Sequence, residues 1–349
     1  MAEILGIGVT HYPPLSGRDE NMARILKRVL QDPDLPEQYQ RSDGWPEPMR
    51  QEYGADEGLS AAHRHRAALV EGFRKARRLL DDFAPDFVVI WGDDQYENFK
   101  EDIIPPFCVL AYESIEHRPW EEFRGANAWD EPKDKTFMYT GHRAAAKYLT
   151  TSLLDEGFDL SYAYKPLHHP LGHAFMNTLL FMDYDRQGFP YPVVPFQVNC
   201  YGRRVISQYG GAASFANMPA EDQLDPPSPP PWRCFDLGRA CARVISRSPW
   251  RVAVIASSSW SHAFLTPKHH LLYPDVEADR ALYERLRVGD YQAWRQTPLA
   301  ALEESGQQEM LNWMCLVGAM AELGRRPHEA EFIQTYIFNS SKCFASFKP

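Results

Sequence analysis

Five apolar segments of the chain each run into a residue that can bind a metal ion or transfer a proton. Imidazole and carboxylate groups together suit iron, zinc or manganese, and two histidines with one carboxylate are typical of non-haem Fe(II) oxygenases. A single histidine in a loop is usually a surface or capping residue, whereas several at successive strand ends predict a shared site. The five positions are His11, Asp94 with Gln95, His169, Asn199 and His262.

The segments before these residues are expected to be β-strands. Their short apolar runs alternate with longer stretches in which apolar residues recur at helical spacing. Alternation of this kind predicts an α/β fold, with a mainly parallel central sheet flanked by helices. Because ligands bind at the carboxyl ends of such strands, we expect the active site there. Predicted strands cover 4–9, 87–91, 160–164, 193–198 and 251–256, and predicted helices cover 59–82, 141–156, 174–182, 236–246, 276–288 and 308–323.

We expect residues 1–349 to form a single large domain. The Pro-rich stretch at 226–231 is a candidate linker, but strand signals flank it closely, and a surface loop within one domain is favoured. Two segments, 112–138 and 201–233, are long enough to cover the pocket. Long polar loops of this kind often cover active sites, which is the role we predict for both.

Composition narrows the class of protein. The chain has 349 residues, 44% of them hydrophobic, and a formal net charge of −10, which argues against nucleic acid or an anionic membrane as the main partner. No apolar run reaches the roughly 20 residues that a membrane span needs, and the N-terminal residues lack the pattern of a signal peptide. The six cysteines include no CxxC pair. These features predict a cytoplasmic protein without disulfides.

The motifs resemble those of the class III extradiol ring-cleavage dioxygenases. The matching segments follow the family's order from about residue 4 to about residue 345. Each motif alone is weak, whereas the ordered set is fairly specific. The segments are the histidine loop at 6–15, FVVIWGDDQYENFKEDIIPPF at 87–107, the loop around His169, YPVVPFQVN at 191–199, the helix start at 234–238, Ser259-Trp260-Ser261-His262, and the helix around Glu309 and Trp313.

The resemblance implies a metal centre and a set of residues around the substrate. It makes His11 and Glu309 metal ligands, with Fe(II) as the expected metal and Mn or Zn as the other candidates. His262 is expected to act as acid and base, and His169 to contact the substrate hydroxyls. Asn199, Ser261 and His168 are the other residues expected at the substrate, and His168 or His173 could take the place of His169.

The second metal histidine of the family should follow Asp94, and this chain has Gln95 there. Three interpretations remain open. Gln95 binds the metal through its amide oxygen, which is a weaker donor than imidazole. Alternatively, Asp94 turns inward as a replacement ligand, or the metal is lost. The pair Asp93-Asp94 also leaves one residue of slack in the alignment.

The resemblance implies an oxidoreductase that cleaves the ring of a catechol-like aromatic with O2. The expected partners are a small aromatic substrate, O2 and further copies of the chain in a homo-oligomer. A metal-assisted hydrolase or lyase on the same scaffold remains an alternative, as does a non-catalytic binding protein with a degenerate metal site. The substrate itself does not follow from the sequence.

Overall fold

The apolar runs of the sequence become neighbouring strands of one central sheet. The computed structural model describes residues 2–203, 209–210 and 224–349. In these ranges the sheet has eight strands in the order β6-β3-β7-β2-β8-β1-β10-β9, and β4 pairs with β5 in a separate hairpin. The strands are β1 (Ile4–Val9), β2 (Phe87–Gly92), β3 (Phe107–Leu110), β4 (Ser114–His117), β5 (Phe137–Thr140), β6 (Ser161–Ala163), β7 (Val193–Val198), β8 (Val252–Ser257), β9 (Glu329–Ile333) and β10 (Lys342–Phe347).

Helices follow most of the strands and cover both faces of the sheet. The longest, α3, has 25 residues, and its apolar residues lie along one side as the sequence spacing predicts. In the described ranges the α-helices are α1 (Arg24–Val29), α2 (Glu47–Tyr53), α3 (Leu59–Phe83), α4 (Arg143–Asp155), α5 (His173–Met182), α6 (Pro231–Ser246), α7 (Val276–Val288), α8 (Tyr291–Arg295), α9 (Leu299–Glu304) and α10 (Met310–Glu322).

The centre of the sheet consists of the parallel strands β7, β2, β8 and β1. The outer pairs β3–β7, β1–β10 and β10–β9 are antiparallel. The carboxyl ends of β1 and β8 are in register, with Val9 opposite Ser257, and Gly92 ends β2 beside them. The predicted α/β fold with a mainly parallel sheet is therefore confirmed, and the loops after these strands share one edge.

The two faces of the sheet carry separate hydrophobic cores. Helices α3 and α5 cover the face that holds Val88 and Ile90 of β2, and α6 and α10 cover the face that holds Val89 and Trp91. Helices α6 and α10 pack very closely, because a Cβ on Gly238 or Gly318 would overlap the backbone of the facing helix. This contact fixes α10, whose first turn follows Glu309.

The two loops predicted to cover the pocket are described by the structure to different extents. Segment 112–138 contains β4 and the start of β5, and its Trp120 and Trp129 rings lie 5.6 Å apart in an aromatic cluster. Within 201–233, residues 204–208 and 211–223 lie outside the described residues. Helix α6 begins at Pro231, five residues before the predicted start, because prolines are well tolerated in a first helical turn. The covering role of both loops stays a prediction.

Two further observations concern the class of protein. Among the described residues, no helix combines the length and the apolarity that crossing a bilayer requires. All six cysteines carry free, buried thiols.

Gly8 of β1 leaves room for the indole ring of Trp313 from α10, since a Cβ at this position would overlap that ring. We predict that Gly8→Ala lowers the free energy of unfolding by about 1–3 kcal/mol through overpacking. Gly17→Ala is the matched control, because its Cβ would meet its nearest neighbours at ordinary contact distances of 3.5 and 3.6 Å. Urea denaturation followed by circular dichroism measures both variants. Equal midpoints for the two variants would contradict the proposed packing.

Candidate metal centre

Four side chains that can bind a metal converge at the carboxyl edge of the parallel strands. His11 lies two residues after β1, Asp93 directly follows β2, His173 is the first residue of α5 and Glu309 precedes α10. One ligand atom from each lies within 4.8 Å of the other three. His11, Asp93 and Glu309 are buried, and His173 is partly buried. Two imidazoles and two carboxylates at these separations can hold a divalent transition metal.

The imidazole of His11 is fixed by contacts on one side and is open on the other. Its Nδ1 lies 3.0 Å from Ser257 Oγ at the end of β8, and its carbonyl accepts a hydrogen bond from Asn177 of α5. Its Nε2 lies 3.2 Å from Glu309 Oε2 and has no hydrogen-bond partner among the described residues. Burial lowers the pKa of His11 to about 4, which favours the neutral form that binds metals.

The carboxylate of Glu309 is the centre of the hydrogen-bond network. Its Oε2 accepts the backbone N–H of Ser259 at 3.0 Å, and its Oε1 accepts the hydroxyl of Tyr201. The Nε2 of His262 lies 3.2 Å from the same Oε1. These contacts fix both oxygens while leaving Oε2 directed toward His11.

His173 supplies the second imidazole of the group. Its ring lies edge-on to that of His11, with centroids 4.9 Å apart. Its Nδ1 lies 3.1 Å from the carboxylate of Glu97, which also accepts the His173 backbone N–H. Burial lowers the pKa of His173, but Glu97, Asp93 and Glu309 outweigh that effect and raise it to about 10. A carboxylate on the far nitrogen is the usual arrangement around a metal-binding histidine.

Asp93 is completely buried, and only one of its two carboxylate oxygens has a hydrogen-bond partner among the described residues. Its Oδ1 accepts a hydrogen bond from Asn312 of α10 at 2.9 Å, whereas Oδ2 has no hydrogen-bond partner among the described residues. Burial and the neighbouring Glu309 carboxylate raise the pKa of Asp93 to about 7. A cation between these groups would offset their repulsion and give the free atoms of Asp93 and His11 a partner. The donor set therefore fits a metal ion.

Asp94 and Gln95 make other contacts than the sequence predicted. The carboxylate of Asp94 accepts the backbone N–H groups of residues 97, 98 and 99, which is the role of a turn-capping residue. The amide of Gln95 lies at the cavity but donates to the carbonyl of Gly210 at 2.9 Å. The contacts of Asp94 do not support it as a replacement ligand, because β2 ends at Gly92 and directs Asp93 inward. Gln95 as a ligand stays a prediction.

A cavity of about 380 Å³ opens beside the group. Three of the four candidate ligands and His262 contribute to its wall, together with apolar side chains and two arginines of α1. Its lining consists of His11, Tyr12, Pro13, Pro14, Arg24, Ile25, Arg28, Gln95, His173, Gly210, His262, Phe264, Glu309 and Asn339.

Five of the predicted site residues do not line this cavity: Asp94 and the four residues expected at the substrate. Ser261 donates its hydroxyl to Asp279 at 2.6 Å, and the Asn199 side chain accepts the Tyr201 backbone N–H. His168 pairs with Asp102, and His169 contacts the carbonyl of Leu171 while lining a neighbouring cavity. Local contacts thus hold all four away, and their roles at a substrate have no support from this geometry.

Sequence reasoning did not identify Asp93 and His173 as ligands. The slack in the Asp93-Asp94 pair was the available signal for Asp93. For His173, the signal was its place at a helix start after an apolar loop, but three histidines compete there within six residues. The decisive contact with Glu97 joins residues 76 positions apart and is not visible in local sequence.

Residues 224–345 match the family model described as the catalytic LigB subunit of aromatic ring-opening dioxygenase. This segment, about a third of the chain, is similar to the LigB family. The resemblance to the class III extradiol dioxygenases seen in the sequence is thereby confirmed. The matched segment contains Glu309 and His262, whereas the other three candidate ligands precede it.

Curated relatives match a larger part of the chain at low identity. A 2,3-dihydroxyphenylpropionate/2,3-dihydroxicinnamic acid 1,2-dioxygenase of Comamonas testosteroni is 24% identical over 221 residues, which are 63% of this chain and 55% of that protein. The protein of the same name from Photorhabdus laumondii is 23% identical over 59% of this chain and 52% of its own length. A gallate dioxygenase of Pseudomonas putida is 25% identical over 55% and 50%. The chain thus spans about half the length of the curated relatives it matches.

Replacing His173 and Gln95 separately tests which of them binds metal. We predict that His173→Ala lowers Zn²⁺ affinity by more than the ~10–100-fold typical of an outer-shell change. Gln95→Ala should keep affinity within about threefold, because its amide contacts Gly210. Competition with a chromophoric chelator at pH 7 measures both. Loss of binding in Gln95→Ala with retention in His173→Ala would reverse the assignment.

Proposed function

We propose that this protein is a non-haem metal-dependent dioxygenase that cleaves the ring of a catechol-like aromatic with O2. The observation that carries the proposal is the group of His11, Asp93, His173 and Glu309, whose ligand atoms lie within 4.8 Å beside a cavity. The names of the relatives, which describe dioxygenases of dihydroxylated aromatics and gallate, support the same reaction class.

Fe(II) is the metal that we propose, with Mn and Zn as the other candidates. His11, His173 and Glu309 would provide the two imidazoles and one carboxylate typical of non-haem iron oxygenases, and Asp93 lies next to them. Bound Fe(II) would supply Lewis acidity toward the substrate hydroxyls and would relay electrons from the aromatic ring to O2. Glu97 and Ser257 would hold the two imidazoles in orientation through their Nδ1 atoms.

His262 is the residue that we propose to move protons. It lines the cavity, and its Nδ1 has no hydrogen-bond partner among the described residues. An imidazole in this position can take a proton from a substrate hydroxyl and return it later. The apolar walls formed by Tyr12, Pro14 and Phe264 would hold the aromatic ring and exclude water from it.

Two arginines point to a substrate that carries a negative charge. Arg24 and Arg28 lie four residues apart on α1, so their side chains share one face of the helix. Both are exposed and line the cavity, and neither has an ion-pair partner among the described residues. We therefore propose that they bind a carboxylate on the substrate, as the names of several relatives would suggest.

Oxygen uptake by anaerobically loaded protein tests the proposed reaction. Protein loaded with Fe(II), and separately with Mn²⁺ or Zn²⁺, is mixed with a panel of catechols in an oxygen-electrode cell. We expect uptake with Fe(II) and at least one catechol, accompanied by the yellow absorbance of a ring-opened product. His262→Gln should keep metal content but lose on the order of 10²–10⁴-fold in kcat, because it removes the proton acceptor. No uptake with any metal and substrate would end the proposal.

Neutral substitutions of the two arginines test whether they bind a carboxylate on the substrate. We predict that Arg24→Met/Arg28→Met raises KM for 2,3-dihydroxyphenylpropionate by roughly tenfold or more, from the loss of charged hydrogen bonds. The KM for uncharged 3-methylcatechol should change little. Arg41→Met is the control, because Arg41 is exposed and pairs with Asp43 instead of lining the cavity. An equal change for both substrates would refute carboxylate recognition.

A metal-assisted hydrolase or lyase is the second candidate function. The observation that favours it is the extra carboxylate of Asp93, since a set richer in oxygen ligands also suits Mn²⁺ and hydrolytic chemistry. Turnover of a carbonyl-containing aromatic under strict exclusion of O2 would support this candidate against the dioxygenase. We also propose a cytoplasmic location and a homo-oligomeric state, the second of which size-exclusion chromatography with light scattering can test.

A further inference from the structure

Lys342 is a completely buried lysine that the proposed chemistry does not use. It is the first residue of β10, and its amine donates hydrogen bonds to the carbonyls of Phe338 and Ser340. The same amine lies 3.6 Å from the centre of the ring of Tyr12, which is the residue that follows the candidate ligand His11. Burying an amine is unfavourable unless its N–H groups are satisfied, and here two carbonyls and an aromatic face meet that need.

The two carbonyls belong to a tight turn at residues 338–341. Its Asn339 has a φ of +64°, a left-handed conformation that few residues adopt without support. The Ser340 N–H donates back to the Phe338 carbonyl at 2.7 Å. This hydrogen bond and those donated by the Lys342 amine together hold the turn closed. Without the amine, both of the carbonyls it binds would lose a buried donor.

The 338–341 turn also holds the segment that carries His262. The N–H groups of Trp260 and Ala263 donate to the carbonyls of Ser341 and Asn339 at 3.0 and 2.8 Å. The Phe264 N–H lies 3.4 Å from the side-chain oxygen of Asn339, and His262 forms a β-bridge with Ser340. The backbone on both sides of His262 is therefore attached to the turn that Lys342 stabilises.

We propose that Lys342 is a positioning residue for His262, acting through the 338–341 turn. The inference rests on the proposed function, because it assigns His262 the proton transfer whose geometry Lys342 would set. Burial lowers the pKa of the Lys342 amine, and even a neutral amine keeps two N–H groups for the two carbonyls. The attachment therefore holds in either protonation state. Misplacing a catalytic group by about 1 Å can lower a rate on the order of 100-fold.

Lys342→Met tests the role, because methionine keeps the unbranched shape and removes the donors. We expect kcat to fall on the order of 100-fold, with KM and Zn²⁺ affinity within about threefold of the wild type. Leu286→Val, which trims a buried side chain of α7, serves as the control for a general loss of stability. Its kcat should stay near that of the wild type although its Tm falls. Loss of metal affinity in Lys342→Met together with kcat would overturn the positioning role.

A measurement that needs no turnover accompanies the kinetics. In Zn²⁺-loaded protein labelled with ¹⁵N-histidine, the imidazole resonances of His262, assigned with His262→Gln, should shift or broaden in Lys342→Met. Those of His142, the N-cap of α4, should not change. Unchanged His262 resonances would overturn the inference. If the wild type consumes no O2 with any catechol, the proposed function fails, while these resonances still decide the role of Lys342.

A second variant covers the case in which Lys342→Met does not fold. Lys342→Gln keeps amide N–H groups on a shorter side chain, which can reach one carbonyl at most. We expect a fall in kcat of about tenfold and smaller shifts of the His262 resonances. A folded Lys342→Gln variant with wild-type kcat and wild-type resonances would overturn the inference as well.

Discussion

The buried carboxylate of Glu309 is the group on which the arrangement at the sheet edge depends. A carboxylate removed from water must be hydrogen-bonded or paired with a cation, or its burial opposes folding. Here backbone from the loop after β8, the hydroxyl of Tyr201 and the imidazoles of His11 and His262 surround it. Burial and the Glu309 carboxylate raise the pKa of the neighbouring Asp93, so a cation would stabilise the charged form of the whole group.

This electrostatic requirement explains why so many separate elements meet at one place. The loops after β1, β2 and β8, the first residue of α5 and the residue before α10 each bring one polar group to the edge. The small residues Gly8, Gly238 and Gly318 let β1, α6 and α10 approach closely enough for those groups to meet. Packing on the α6–α10 face is therefore part of the site, although none of the three glycines lines the cavity.

The sequence predicted correctly those features that depend on residues close together in the chain. Strand 4–9, strand 193–198 and helix 276–288 have the predicted bounds, because the periodicity of apolar residues within each segment determines them. His11, Glu309 and His262 also lie together as the resemblance implied. Strands such as β10 were not predicted, since its short segment has no clear alternation and gains its place only between β1 and β9.

The assignments that differ from expectation depend on distant partners or on a single residue of register. The residue at which β2 ends decides whether Asp93 or Asp94 points inward, because a change of one residue there would reverse the direction of each following side chain. Ser261 has the expected position after β8, but Asp279 of α7 binds its hydroxyl, and no local pattern reveals that pairing. The choice of His173 over its neighbours His168 and His169 follows in the same way from Glu97 and Asp102.

The position of β1 between β8 and β10 has a consequence for biosynthesis. Both partners of β1, β8 and β10, lie far later in the chain, so one edge of β1 stays unpaired until residues 342–347 emerge. At about 5–20 residues per second, that interval is on the order of tens of seconds. Glu309 is synthesised well after His11, Asp93 and His173, and shortly before β10. The four candidate ligands can therefore meet only late in synthesis, and until then the unpaired edge of β1 is a surface that chaperones can bind.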